Sequence, residues 1–188
     1  MKLVIVLGSG NSGAGAIYDY LRSRTDFQAP FYGKEFRIVN DPNGLDQLYH
    51  SLYKNFSING SANSIGEFRE FISNTHNSNY HKDKNFKKNL IKFSNNFLKQ
   101  ISKITYNGSP RFYMDKLSLI KKINFYLRRF IFMKNAKEIS LLEMTLPCEE
   151  KKFLEYAEEY LFLIFRSCKN FDEKKILLLS KVAILQIH

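Results

Sequence analysis

The stretch Gly8-Ser9-Gly10-Asn11-Ser12-Gly13-Ala14-Gly15 is where this chain's residue types and spacing most clearly suit chemistry. Its glycines let a ligand approach backbone amides closely, and Ser9, Asn11 and Ser12 add side-chain donors. The matching chemistry is anion binding, phosphate above all. It requires a strand to deliver the turn and a helix to follow it, because a helix start offers unpaired N–H groups and positive potential. The flanks meet that requirement. Leu3-Val4-Ile5-Val6-Leu7, within Lys2 to Leu7, is uniformly apolar and rich in branched residues, as in the middle of a parallel sheet. Beyond the glycines, Ile17, Tyr20, Leu21 and the stem of Arg24 recur at helical spacing.

The kind of loop can be narrowed. A Walker loop needs a Lys and a Ser or Thr directly after its second conserved glycine. Gly8 and Gly13 have the glycine spacing, but Ala14 and Gly15 follow, which argues against an ordinary ATPase or GTPase. Gly8, Gly10 and Gly13 also spell the dinucleotide pattern. That fold expects a second strand ending in an acid, yet Gln28-Ala29-Pro30 reads as loop and Glu35 is a weak substitute. A phosphate-type ligand, a dinucleotide and a purely structural turn all stay open on the residues alone.

The elements that must position this turn read as follows. Residues 25–35 are loop, and Phe36 to Val39 is a candidate short strand. Asp41-Pro42-Asn43-Gly44 is a turn signature. Asp46 through Phe56 is predicted helical, on Leu45, Leu48, Tyr49, Leu52 and Phe56, and Asn59-Gly60 is expected to break it. A short helix falls within 66–82, before a polar loop over Asn74 to Asn79. Phe86, Leu90, Phe93, Phe97 and Ile101 predict an amphipathic helix over 86–104, and Asn107-Gly108-Ser109-Pro110 a linker. Residues 114–133 favour helix, 138–146 a strand ended by Pro147, and Glu149 to Phe165 a helix whose acidic start suits its dipole. Ile176-Leu177-Leu178-Leu179 is a second buried strand, with 182–185 continuing it or opening a helix. A complete sheet would need more strands than these, so truncation or an atypical terminus is expected.

Composition bounds the partners. At 188 residues with 44% hydrophobic and 25% charged residues, the chain can bury a core and is not disordered. Two cysteines, Cys148 and Cys168, exclude a disulfide scaffold and fit a reduced, cytoplasmic setting. No run approaches the ~20 apolar residues that span a bilayer, and residues 3–7 are too short for a signal peptide. The net charge of +11 is concentrated: residues 82–137 hold 15 Lys or Arg against Asp83 and Asp115, a net +13, and the remainder nets −2. Such a segment could meet an anionic nucleotide, a charged glycan or an acidic membrane surface, or be merely solvated. No zinc-finger spacing or RNA-binding aromatic motif supports nucleic acid. Aromatics among Lys121, Lys122, Arg128 and Arg129 allow peripheral membrane contact.

The segment Leu7-Gly8-Ser9-Gly10-Asn11-Ser12-Gly13, followed by Ala16-Ile17-Tyr18-Asp19-Tyr20-Leu21, resembles the 5′-phosphosulfate loop of bacterial sulfotransferases with a P-loop fold. Lys34 to Leu45 is similar to the segment that follows this loop in polysaccharide-directed members, and 176–185 to a central strand. The resemblance implies an α/β, P-loop NTPase-like three-layer fold with a parallel sheet. It would form one domain over 1–188, with 82–137 a basic helical insertion. It implies sulfuryl transfer from 3′-phosphoadenosine 5′-phosphosulfate (PAPS) to a hydroxyl, such as that of a glycan acceptor, in an active or an inactive protein. Gly10, Asn11, Ser12, Gly13, Ala14 and Gly15 would hold the cofactor. Asn11 stands where the family usually has Arg or Lys, and the family's Arg-Asp-Pro-Arg sequence for the 3′-phosphate is not found.

Sulfuryl transfer needs alignment, charge stabilisation and a base. Glu35 and Asp41 are the candidate bases and Arg37 the candidate anion contact. Their plain alternatives are an ion pair between Glu35 and Arg37 on one strand face, and a capping role for Asp41 in its turn. The competing functions are a P-loop kinase or phosphotransferase, disfavoured by the missing loop Lys, and a non-catalytic nucleotide- or anion-binding domain. His76 and His81 fall in or beside the polar loop without a nearby cysteine and make a poor metal ligand set, so no metal site is expected. His50 suits the surface or a satisfied core position. Cys148 reads as a buried structural thiol before it reads as a nucleophile.

Overall fold

A computed structural model describes residues 2–6, 13–29, 36–77, 84–107, 119–131, 143–168 and 171–180. Gly10, Asn11, Ser12 and Glu35, most of the 107–110 linker and the 182–185 stretch lie outside them. Along the chain run β1 (Leu3–Val6), α1 (Ala14–Ser23), β2 (Phe27–Gln28) and α2 (Leu45–Tyr49), which continues as a π turn (His50–Lys54). There follow α3 (Ile58–Asn77), α4 (Lys84–Ile101), β3 (Ser102–Asn107), α5 (Leu119–Ile131), β4 (Glu143–Pro147), α6 (Glu150–Arg166) and β5 (Ile176–Ser180).

β1, β5 and β2 form a parallel sheet in that order, with Leu3 opposite Leu177, Val6 opposite Ser180 and Phe27 opposite Ile176. The predicted apolar strand at 176–179 is the central one, buried on both faces. β1 was expected in mid-sheet. Among the described residues it pairs with β5 alone, and Leu3 is exposed. β5 also separates β1 from β2, unlike the dinucleotide-binding order, in which the first two strands are neighbours. The Gln28 side chain holds the approach to β5 by two bonds to the Asp172 backbone, donating to its carbonyl at 2.6 Å and accepting from its N–H at 2.8 Å.

Side-chain alternation divides the core. Val4, Val6 and Leu178 pack with Tyr18 and Leu21 of α1, whereas Ile5, Leu177 and Leu179 enter the larger core of α2, α3, α4 and α6. The sheet is therefore covered on both faces, which is the mixed α/β architecture expected. On α1 the packed stripe is Ala14, Tyr18 and Leu21, while Ile17 and Tyr20 are exposed. The predicted stripe of Ile17, Tyr20, Leu21 and Arg24 was thus offset by part of a turn. β3 and β4 form a separate antiparallel pair against α3, joined by the Ser61 hydroxyl donating to the Thr145 carbonyl at 3.2 Å.

Aromatic rings fill the larger core. Phe97 of α4 stacks on Tyr160 of α6 at 4.9 Å, and Phe153 meets Phe97 edge-on at 5.6 Å. The fully buried Tyr160 hydroxyl lies 2.8 Å from the Ser94 hydroxyl, which donates to the Leu90 carbonyl at 2.7 Å. Tyr160 is thus the donor to Ser94, and neither oxygen is buried unpaired. The apolar stripe of α4, within the basic 82–137 segment, belongs to this same core. That segment is helical over 84–101 and 119–131 but carries β3 between.

Several boundaries differ from expectation. Phe36 to Val39 is not a strand: the turn begins at Ile38, and the Ile38 and Val39 carbonyls accept from the Leu45 and Asp46 N–H groups at 2.9 and 3.0 Å. Asn59-Gly60 does not break the chain but lies in the first turn of α3. Ser57 caps that helix, its hydroxyl accepting from the Gly60 N–H at 3.0 Å. α3 consequently starts eight residues before the predicted 66 and runs through Asn74 to Asn77, placing His76 in its last turn. Phe56 falls outside the helix and is exposed.

Candidate functional site

Three of the six glycine-turn residues are described. Gly13 precedes α1 with φ +78°, the left-handed region that favours glycine. Its carbonyl receives the first helical bond, from the Ile17 N–H at 3.2 Å. Ala14 and Gly15 open the first helical turn, which contains no acidic residue, and among the described residues no side chain caps it. A Cβ added at Gly13 or Gly15 would meet nothing within 4 Å. The turn's described end is therefore sterically open and bears the positive end of the helix dipole. In the chain it follows the carboxyl end of β1, and parallel α/β sheets bind ligands at the carboxyl ends of their strands.

Arg37 and Asp41 are brought together. The Arg37 Nε donates to Asp41 Oδ1 at 3.1 Å and lies 2.9 Å from Oδ2 in the same ion pair. Asp41 closes its turn by its main-chain carbonyl, which accepts from the Gly44 N–H at 2.8 Å, rather than by its side chain. Their neighbours Phe36, Ile38 and Val39 anchor in the core on the sheet face opposite α1. The glycine turn and the Arg37–Asp41 pair are thus secured from different sides of the sheet.

The sequence reading missed a polar cluster where the π turn meets the start of α6. Tyr53 donates to the Cys148 carbonyl at 3.0 Å, with the half-buried Cys148 thiol 3.6 Å from the same hydroxyl. Burial, then the contact with Cys148, pushes the Tyr53 phenol well above its ordinary range, so it stays protonated. The Tyr49 hydroxyl and Lys54 Nζ both donate to Glu150 Oε1, Lys54 at 2.9 Å. Widening the helix to an i→i+5 turn, closed by the Asn55 N–H on the His50 carbonyl at 2.8 Å, sets the register of Tyr53 and Lys54. No sequence signal announces such a turn. The cluster is a structural clamp: the Glu150 carboxylate is engaged by Tyr49 and Lys54, and the Tyr53 phenol by the Cys148 carbonyl. Among the described residues, no three His, Cys, Asp or Glu side chains gather as a metal would need.

This clamp has a pH signature. The Glu150 carboxyl is held below the usual glutamate range, first by Tyr49 and then by Lys54. A depressed acid stabilises the fold above its unfolded pKa of about 4.3, and loses that contribution as pH falls through the lower folded value. Glu150→Gln is therefore expected to lower the unfolding temperature at about pH 7, and the difference from the parent should close below about pH 4. Thermal unfolding across pH checks this; a difference that stays constant in acid would contradict it.

Comparison with protein-family models, curated proteins and solved structures finds no match.

Proposed function

We propose that this chain binds PAPS through its glycine turn and transfers the sulfuryl group to a hydroxyl, with a glycan as the acceptor class. The observation that carries the reading is the left-handed Gly13 at the start of α1, in a chain that has just left a parallel strand, with no described side chain capping the helix. Gly10 to Gly15 would cradle the 5′-phosphosulfate. In the transfer, the acceptor oxygen forms its bond to sulfur as the bridging S–O bond breaks. The acceptor proton passes to a base, and adenosine 3′,5′-bisphosphate leaves. Glu35 and Asp41 are our candidate bases. Arg37, already paired with Asp41, is the candidate contact for the transferring anion. Ala14 and Gly15, in place of the Walker Lys and hydroxyl, favour this ligand over ATP with magnesium.

The test is calorimetric titration with adenosine 3′,5′-bisphosphate, ATP with magnesium, and NAD. Asparagine tolerates the left-handed conformation and differs from aspartate by one charge, so Gly13→Asn and Gly13→Asp form a matched pair. Adenosine 3′,5′-bisphosphate should bind best, Gly13→Asn should retain most of the affinity, and Gly13→Asp should lose at least about tenfold through repulsion at the helix start. Equal affinity in the two variants, or a preference for ATP or NAD, would overturn the proposal.

A further inference from the structure

The helix α5 is turned the wrong way for a solvent-facing helix. Its apolar residues Leu119, Ile120, Ile123, Tyr126, Leu127, Phe130 and Ile131 share one continuous arc, about 140° wide at about 100° per residue. That arc faces outward: Leu119 is 76%, Ile120 80% and Phe130 74% exposed. The one buried side chain among those described on α5 is Phe125, and it lies on the opposite, basic side of the helix. A helix that only had to pack on this domain would present the arc to the core and the charges to water. An exposed patch of this size marks a contact surface.

Charge decides what covers it. The helical repeat sets Lys122 at one margin of the arc and Asn124 at the other, and the sequence of the helix contains no acidic residue. The surrounding 82–137 segment is the chain's entire source of positive excess. A second copy of this chain would bring two such segments together and be repelled. Within the arc the one polar group is the Tyr126 hydroxyl, and a tyrosine suits the boundary between lipid and water. An exposed apolar face with Tyr126 within it, Lys122 on its margin and no acidic residue on the helix is the pattern of a helix lying in an anionic lipid interface. Thirteen residues of helix extend only about 20 Å, too short to cross the hydrocarbon, and no described helix is long and apolar enough to do so. We infer that α5 docks the protein, in the plane of the interface, on membranes carrying anionic lipid.

Cosedimentation of the full chain with phosphatidylcholine vesicles, with and without phosphatidylserine, tests this. Binding to the anionic vesicles should exceed binding to neutral ones by at least about tenfold and should weaken as salt rises. The double substitution Ile120→Glu and Phe130→Glu should reduce it at least about tenfold, with the unfolding temperature retained because both side chains are exposed. Equal binding to neutral vesicles, or undiminished binding by the double variant, would overturn the inference. So would sedimentation velocity showing a dimer that the same substitutions dissolve, or RNA binding that they abolish while vesicle binding persists.

Discussion

Phe153→Ala is expected to destabilise the protein by about 3–5 kcal/mol, the range for deleting a fully buried phenylalanine. Phe153 is 0% exposed and holds three elements together: Phe97 of α4 at 5.6 Å, and Tyr49 and Tyr53, from α2 and its π turn, at 5.7 and 5.2 Å. These neighbours belong to different helices and cannot all collapse into the space left behind. A loss of this size is a large part of the ~5–15 kcal/mol that holds a typical domain. Phe153→Leu keeps most of the volume and should cost well under half as much. Urea unfolding of the two variants measures the difference. Equal and small shifts would mean that the helical body does not close around this ring.

Gly44→Ala should follow at about 3 kcal/mol, through overpacking instead of a cavity. An added Cβ would sit 2.6 Å from the Ile38 carbonyl oxygen, 2.8 Å from that of Asp41 and 2.9 Å from that of Val39. All three are backbone atoms already accepting hydrogen bonds from Leu45, Gly44 and Asp46. Making room would pull apart the turn and the start of α2 together. Gly15→Ala is the contrast, since its Cβ would enter open space on a helix that alanine favours. The unfolding temperature should fall sharply for Gly44→Ala and hold or rise for Gly15→Ala.

These two sites show what could be read from residue order. The Asp41-Pro42-Asn43-Gly44 turn was legible because Pro fixes φ and Gly tolerates positive φ, although the positive φ falls on Asn43, at 65°, and Gly44 is extended. The reason Gly44 tolerates no side chain was not, because it depends on carbonyls folded back from Ile38 and Val39. The apolar 176–179 run announced a strand by composition, and its central place in the sheet follows from burial on both faces. α3 was foreshortened because Asn59-Gly60 looked like a stop, whereas Ser57 makes it a beginning. For α5, periodicity located the helix but could not reveal that its apolar arc faces outward, since periodicity marks an apolar face without saying what packs on it. At the candidate site, Gly13 and the start of α1 were readable from the glycine spacing. The ion pair of Arg37 with Asp41 was not, because Phe36 to Val39 looked like a strand, where residues four apart do not meet.

The most direct measurement is an amide NMR titration of the full chain with adenosine 3′,5′-bisphosphate. If backbone N–H groups of the glycine turn hold the 5′-phosphate, the largest saturable shifts will fall on residues 10–16, and Gly13→Asp will need at least about tenfold more ligand to produce them. Saturable binding with those amides unmoved, and shifts concentrated instead on the basic 82–137 segment, would contradict it.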